Sequence, residues 1–442
     1  MQVIHHGALD GVTGSCHQLI FSKGRSWLVD CGMFQGADAK NRNQEIIEFP
    51  LADVQALVVT HIHLDHVGRI PYLIAAGFKG PIYCSPPTAR LLPLMLEDAL
   101  RVGVTRNRRM IERFLNDLRH HIRPMAYYKW HKLDGGIELR LTPAGHVLGS
   151  SIVEVDHGNE RFVFSGDLGS RCQPLLKDPV SPEKADLLVL ESTYGDRNHE
   201  GREQRVQRLE SVLCHTLENK GVTIIPAFSL GRTQELLYEM NTIFHHLEQQ
   251  RGCTLLKAVD VIVDSPLANR FTELYDDMKQ YWDDEAQHVL TYDDQPLVFE
   301  NLVQIDDVDE HRSTIEYLKK SKLPAIVIAA SGMCTGGRVV NYLKEFISDP
   351  KTDIVFVGYQ AIGTPGRYIQ DTDWVKLDGQ RYDIHAKRHQ LSGYSAHADQ
   401  SDLLRFVEGF SQPPKAIRLV HGEQEAKRTL ADLLTTRGFS VI

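Results

Sequence analysis

The chain has 442 residues, more than one hydrophobic core usually serves, so two or more domains are expected. Its 42% apolar and 24% charged residues are those of an ordinary globular protein, and no apolar run approaches the ~20 residues that cross a bilayer, which excludes a helical membrane protein. A net charge of -9 is not that of a generic nucleic-acid binder, so attraction for such a ligand has to come from a local site.

From residue 1 to about 30, short apolar stretches alternate with glycine turns, which predicts an antiparallel meander. Asp30 follows Trp27-Leu28-Val29 and precedes Cys31-Gly32; it reads either as a turn aspartate or as a carboxylate set at a strand end for use. The run Ala56-Leu57-Val58-Val59 is short and β-branched, a buried strand, and the apolar spacing over 67–76 predicts a helix closed by Gly77. Between them lies Thr60-His61-Ile62-His63-Leu64-Asp65-His66, on a strand-to-helix loop. Alternate residues of an extended loop point the same way, so His61 and His63 can bind one metal ion while Asp65 and His66, further round the bend, face a second. Imidazole with carboxylate suits zinc, and two ions about 3.5–4 Å apart suit phosphoester hydrolysis. The bland alternative is a polar loop with clustered histidines, but four ligands in six residues argue against it. Residues 87–117 predict one or two helices. Their arginines, Arg106, Arg108, Arg109, Arg113 and Arg119, read first as a solvated face and second as an RNA surface.

His146 stands at a loop apex in Gly145-His146-Val147-Leu148-Gly149, and the strand 161–165 leads into Gly166-Asp167-Leu168-Gly169. A carboxylate can bridge two cations, which one imidazole nitrogen does not normally do. Leu187-Leu188-Val189-Leu190 then runs into Glu191-Ser192-Thr193-Tyr194-Gly195. Beyond about 196, strands at 222–227, 258–263, 324–329 and 353–357 alternate with helices at 232–247, 270–281 and 338–346, the pattern of a parallel, doubly wound α/β unit. Ligands of such sheets bind at the carboxyl ends of strands. Three such ends are distinctive: Pro226-Ala227-Phe228-Ser229-Leu230-Gly231-Arg232, Asp264-Ser265-Pro266-Leu267-Ala268 and Ser331-Gly332-Met333-Cys334-Thr335-Gly336-Gly337-Arg338. The first and third put backbone N–H groups at a helix start with an arginine nearby, which suits phosphate, although by composition alone both are ordinary turns. Gly363-Thr364-Pro365-Gly366-Arg367 reads as a hinge back to the first domain. Leu391-Ser392-Gly393-Tyr394-Ser395-Ala396-His397-Ala398-Asp399 precedes a helix, and the strand 417–420 ends at His421-Gly422-Glu423.

The His-x-His-x-Asp-His motif at 61–66, with His146 and Asp167 in order, resembles the signature of the metallo-β-lactamase superfamily. The segments at Glu191, His397 and His421 resemble the three motifs of its β-CASP nucleases, and the resemblance covers essentially the whole chain. It implies an α/β fold, a metallo-β-lactamase αββα sandwich at 1–198 and 369–442, with an inserted β-CASP α/β domain of mainly parallel sheet at 199–368. It also implies two Zn2+ per chain, one held by His61, His63 and His146, the other by Asp65, His66 and His421, with Asp167 bridging. Asp30 is expected to support the ligands from behind. By the same resemblance His397 gives a proton to the leaving sugar oxygen and Glu191 keeps it charged. The strand-end sequences also match β-CASP sequences, so Ser229, Arg232, Ser331, Gly332 and Met333 are expected on phosphate, and Tyr394 stacked on a base. Family members aimed at RNA resemble this chain in having histidine at 421, whereas DNA-directed relatives tend to have valine. The expected function is hydrolysis of single-stranded RNA by endonucleolytic cutting, alone or joined by 5′ exonuclease activity. The alternatives are a DNA nuclease of the family, an ester or thioester hydrolase with no use for the insertion, and a scaffold paralogue, which would have lost the ligands kept here. Seven cysteines without a C-x-x-C pair read as reduced core residues, and the opening residues lack a charged-then-apolar signal, so a cytoplasmic protein without a membrane partner is expected. With only 21 residues after His421, accessory RNA-binding or dimerisation regions are expected to be missing, and RNA affinity to lean on a protein partner or a second copy.

Overall fold

The β-branched run ahead of the histidines folds as the strand Val54–Val58, fourth in a six-stranded sheet. That sheet begins as the expected meander, Gln2–Gly7, Cys16–Ser22 and Arg25–Val29, and is parallel from there through Val54–Val58, Ile82–Cys84 and Ile122–Pro124. The structure is a computed structural model and describes residues 1–40, 42–251, 259–361 and 363–442. A second six-stranded sheet runs Ile417–Val420, Leu187–Glu191, Glu160–Phe164, Ser151–His157, Ile137–Pro143 and His131–Leu133.

Side-chain alternation decides how these layers pack. Leu19, Trp27, Val29, Ala56 and Val58 of the first sheet meet Leu139, Leu141, Val153, Val155, Phe162 and Phe164 of the second in one core between the sheets. Leu188 and Leu190 point the other way and are covered by Leu403, Phe406 and Val407 of the helix Gln400–Glu408 and by Leu430 and Leu434 of Gln424–Thr436. Strands covered on both faces need apolar residues at every position, hence the unbroken apolar runs in the sequence. The helix Pro86–Gly103 packs on Ile122–Pro124 of the first sheet. The result is the expected helix–sheet–sheet–helix sandwich.

The expected helix at 67–76 is two short ones, Leu64–Val67 and Ile70–Ala75. Pro71 has no N–H for the Val67 carbonyl, so the first helix stops and a second starts with proline in its first turn.

By its contacts the chain divides into Met1–Asn198 with His397–Ile442, and His199–Ala396. The second unit holds six parallel strands in the order Leu302–Gln304, Asp260–Asp264, Ala325–Ala329, Val222–Pro226, Asp353–Phe356 and Lys387–Gln390. Ile224, Val327 and Ile354 face one core, and Ile225, Ile328 and Val355 the other. Ala258, the expected start of one strand, lies outside the described residues. By these contacts the return to the first unit falls at His397, later in the chain than the expected 369. Lys387–Gln390 pairs in parallel with Asp353–Phe356, and Val375 and Leu377 of the preceding hairpin fill the same core as Ile354. An edge strand written Lys-Arg-His-Gln carries no apolar signal, which is why the sequence hides it. Within the expected hinge segment 363–367, Thr364 caps the helix Pro365–Asp371 by accepting from the Arg367 N–H. Of the cysteines expected in the core, Cys16, Cys31, Cys84 and Cys334 are buried thiols, Cys214 is half-buried and Cys172 is exposed. Cys253 lies outside the described residues.

Candidate metal centre

Strand ends deliver the polar residues. Glu160–Phe164, Leu187–Glu191 and Ile417–Val420 run parallel, so Asp167, Glu191 and His421 emerge from the same end of the second sheet. Val54–Val58 of the first sheet leads to His61 and His63, while Asp65 and His66 lie in the short helix Leu64–Val67 and not on the expected loop. Glycine is required where these segments touch. A Cβ on Gly32 would lie 1.6 Å from the Asp65 carbonyl oxygen, and one on Gly169 1.8 Å from that of Gly145. Asp30 and His421 hold the left-handed backbone conformation (φ 62° and 50°), which for such residues is sparsely populated and clusters at working sites.

Asp167 sits between two groups of ligand atoms. Its Oδ2 is 3.4 Å from His61 Nε2 and 3.5 Å from His146 Nε2, while His63 Nδ1 lies 3.2 Å and 3.0 Å from those two nitrogens. Its Oδ1 is 3.2 Å from His66 Nε2 and 3.6 Å from His421 Nε2, and the latter is 3.2 Å from Asp65 Oδ2. Ligands at zinc-like bond lengths around a tetrahedral ion stand about 3.3 Å apart, the spacing seen in both groups. Two of these buried atoms, His66 Nε2 and Asp167 Oδ1, meet no well-formed hydrogen bond among the described residues beyond their own 3.2 Å approach, as expected of atoms whose lone pairs are meant for a cation. The donor set therefore fits two metal positions sharing one carboxylate.

Protonation divides the histidines: against the pull of burial, Asp167 with Asp30 raises His66 well above the usual imidazole value, and Asp167 with Asp65 raises His421. Burial pushes His61 well down and His63 down to about 4, so both are neutral donors. Burial works against ionising Asp167 and Asp65, but the surrounding histidines hold both well below the usual carboxylate range. Behind them, Asp30 accepts from Thr60 N at 2.8 Å and Thr60 Oγ1 at 2.7 Å and lies 2.7 Å from His66 Nδ1, which fixes that ring from its far nitrogen. Thr193 Oγ1, 3.0 Å from His421 Nδ1, does the same for His421.

His397 borders both groups, close enough to Asp167 and His421 to form a third candidate ligand set with them. Its Nδ1 is 3.2 Å from Glu191 Oε1 and 3.9 Å from Asp167 Oδ2. Burial opposes its charge, yet the Glu191 carboxylate, aided by Asp167 and Asp65, raises it to about 9. Glu191 is itself fixed, accepting from Leu168 N at 2.7 Å and Thr193 N at 3.2 Å.

In the second unit, Asp260–Asp264, Ala325–Ala329 and Val222–Pro226 are neighbours, so their strand ends lie side by side. Ser229 Oγ is 3.0 Å from Ser265 Oγ, and Gln360 Nε2 donates to the Gly332 carbonyl at 2.8 Å. Ser229, Ser331 and Met333 are half-buried. Two of the residues expected on the substrate have partners inside the fold. Arg232 is buried and its guanidinium pairs through Nη1 with Glu235 one turn along the same helix, while its Nη2 meets no hydrogen bond among the described residues. Tyr394 is fully buried, donates its hydroxyl to Glu239 and lies under the Arg205 guanidinium; it is a core residue and not a stacking platform. The exposed aromatic at these strand ends is Phe228, 42% accessible and packed against Gly332. Its signal in the sequence was an aromatic placed just after an apolar strand, next to a serine.

Three family models match: "Metallo-beta-lactamase superfamily" over 18–203, "Beta-Casp domain" over 233–369, and "Zn-dependent metallo-hydrolase RNA specificity domain" over 381–442. Ribonuclease TTHA0252 of Thermus thermophilus is 37% identical across 100% of this chain and 97% of its own length. The chain belongs to the β-CASP branch of the metallo-β-lactamase superfamily. Other β-CASP relatives include the RNase J-like protein of Methanocaldococcus jannaschii, 29% identical over 95% of this chain and 92% of its own, and the transcription termination factor FttA of the same organism, 30% identical. This chain spans 64% of that FttA's length. The β-CASP fold accounts for the parallel sheet inserted between Asn198 and His397, and makes the chain a metal-dependent hydrolase.

Proposed function

We propose that this chain is a two-zinc ribonuclease that cuts single-stranded RNA endonucleolytically, with 5′ exonuclease activity as a second mode. The observation that carries the reading is Asp167, whose two oxygens each face a separate set of imidazole nitrogens, with His397 beside them on Glu191. His61, His63 and His146 would hold one zinc, Asp65, His66 and His421 the other. Lewis-acid activation of water and of the scissile phosphate is the chemistry the ions supply when bound. The chain's own residues do the rest. Asp30 and Thr193 keep His66 and His421 turned inward by their far nitrogens. Glu191 engages Nδ1 of His397 and favours its imidazolium, which leaves Nε2 to protonate the departing sugar oxygen. Ser229, Ser331 and the backbone at Gly332 and Met333 would take phosphate, with Phe228 in place of Tyr394 as the stacking surface. Buried free thiols suit a reducing compartment, and the cytoplasm is the location proposed.

The test is metal analysis together with cleavage assays on single-stranded RNA, single-stranded DNA and a generic ester. About two zinc ions per chain and RNA cleavage lost on chelation are expected. A folded, RNA-cleaving preparation with one metal ion or none would end the two-zinc reading, and preference for DNA or ester would end the ribonuclease reading.

A further inference from the structure

The helices Pro86–Gly103 and Arg108–His121 form a hairpin joined by residues 104–107. The second helix buries Ile111, Leu115 and Leu118, and at 100° per residue that turns Arg109, Arg113 and His120 to the opposite side. Arg106, Arg108, Arg119 and Arg123 are exposed around them. Residues 101–123 hold seven arginines against two acids, a net +5 inside a chain whose total is -9. Arg101 pairs with Glu97 and Arg108 with Glu112, but among the described residues Arg106, Arg109 and Arg113 have no ion pair.

Solvated helix faces normally balance their signs, so a segment with seven arginines and only Glu112 and Asp117 to answer them needs another account. Val102 and Met110, 80% and 59% accessible, stand among the arginines. A polyanion with apolar rings fits such a face better than water alone. The hairpin also starts beside the metal centre. The hydroxyls of Ser85 and Thr88 donate to the Gly149 carbonyl, at 2.6 Å and 2.9 Å, in the loop that carries His146. From there the 18 residues of the first helix carry the chain about 27 Å away.

We infer that the arginine face of this hairpin binds the phosphates of single-stranded RNA at nucleotides beyond those held at the cut bond. The inference rests on the ribonuclease reading above. Flexible arginines on one helix face grip backbone and not base edges, so the contact is independent of sequence and lengthens the bound RNA. It also supplies the local positive field that the chain's total charge lacks.

The experiment compares the zinc-loaded wild type with the triple variant Arg106→Gln, Arg109→Gln, Arg113→Gln, on RNAs of about 6 and about 30 nucleotides. Affinity is read against salt, and cleavage is followed on both. Three lost phosphate contacts should flatten the slope of log affinity against log salt by about 2 for the long RNA. Affinity for the long RNA at low salt should fall at least tenfold, and the effect should be confined to the long RNA. A second triple variant, Lys319→Gln, Lys320→Gln, Lys322→Gln, removes the same charge from the other unit and should change neither RNA. An unchanged slope in the arginine variant, or an equal loss in the lysine variant, overturns the inference while wild-type cleavage leaves the ribonuclease reading standing. Arginine-dependent binding to vesicles of anionic lipid with no change on RNA would also overturn it, assigning the face to a membrane surface. A wild type that cleaves neither RNA would instead remove the reading beneath it.

Discussion

His421 is a buried imidazole and His397 a half-buried one, both within reach of Asp167, and the partner on each Nδ1 separates their work. His397 gives that nitrogen to a carboxylate, which favours a proton to donate; His421 gives it to the neutral Thr193 hydroxyl and turns Nε2 toward Asp65 and Asp167. His397→Ala should therefore keep its metal and lose about 100-fold or more in turnover, with Glu191→Gln a milder copy. His421→Ala should lower metal occupancy, with activity partly restored by added metal. Metal analysis of the three variants decides it, since an emptied site in His397→Ala beside a full one in His421→Ala would reverse the roles. A second pair of residues divides in the same way. Tyr394→Phe removes a donor from buried Glu239 and should cost about 1–3 kcal/mol of stability while leaving RNA affinity alone. Phe228→Ala should do the opposite, weakening RNA binding by about 1–3 kcal/mol with little change in melting temperature. RNA affinity that follows Tyr394 would return the stacking role to it.

At the scale of elements, the site depends on loops that touch backbone to backbone. The loop of Asp167 crosses that of His146 where Gly169 meets Gly145, and the obstacle to a Cβ there is a carbonyl group, which cannot rotate aside. Gly169→Ala should therefore move two ligand loops at once, destabilising by about 2 kcal/mol and weakening metal binding. Calorimetry and metal titration test both halves, and full metal affinity in this variant would show that the loops yield without moving their ligands. In the other unit, the strand end at Asp264 is held by charge. That carboxylate accepts from His311 Nδ1 at 2.6 Å, Tyr342 Oη at 2.5 Å and Arg338 Nη1 at 2.5 Å, so Arg338, like Arg232, pairs with a carboxylate inside the fold. With both arginines engaged, the strand ends offer hydroxyls and backbone groups to a ligand.

The whole molecule should answer to metal and to acid through different units. Among the described residues the metal-binding candidates belong to Met1–Asn198 with His397–Ile442, so chelation should lower the melting temperature of that unit and leave His199–Ala396 unchanged, because a ligand stabilises only what binds it. Asp264 and Asp353 belong to the second unit. Burial works against each, but hydrogen bonds, from His311, Tyr342 and Arg338 to one and from His389 and His215 to the other, hold both below the usual carboxylate range. A folded-state pKa depressed in this way adds stability that is complete above the unfolded value, near 4, and lost as pH falls through the folded values. Asp264→Asn should destabilise this unit by about 3 kcal/mol at pH 7, and the gap from wild type should narrow as pH drops below about 4. A gap constant down to pH 2 would show that the charge on Asp264 is not what holds the strand end.

Much of the candidate site was legible in the sequence because several of its residues follow directly on apolar runs, where chemistry and secondary structure coincide in a few neighbouring letters. His61, Asp167, Glu191 and His421 are of this kind, and so are the central strands of the second unit's parallel sheet, Val222–Pro226, Asp260–Asp264 and Ala325–Ala329, which are mostly apolar. What only the tertiary structure decided are properties of surroundings. Arg232 and Tyr394 look like ligand-binding residues by type and position, and both are taken by buried carboxylates, Glu235 three residues on and Glu239 155 residues away. Lys387–Gln390 has no apolar residue to announce it, and becomes a strand because Asp353–Phe356 offers it an edge. Burial and charge pairing are settled by residues distant in the chain, so a local pattern names the side chains that can act, and the fold decides which of them remain free to do so.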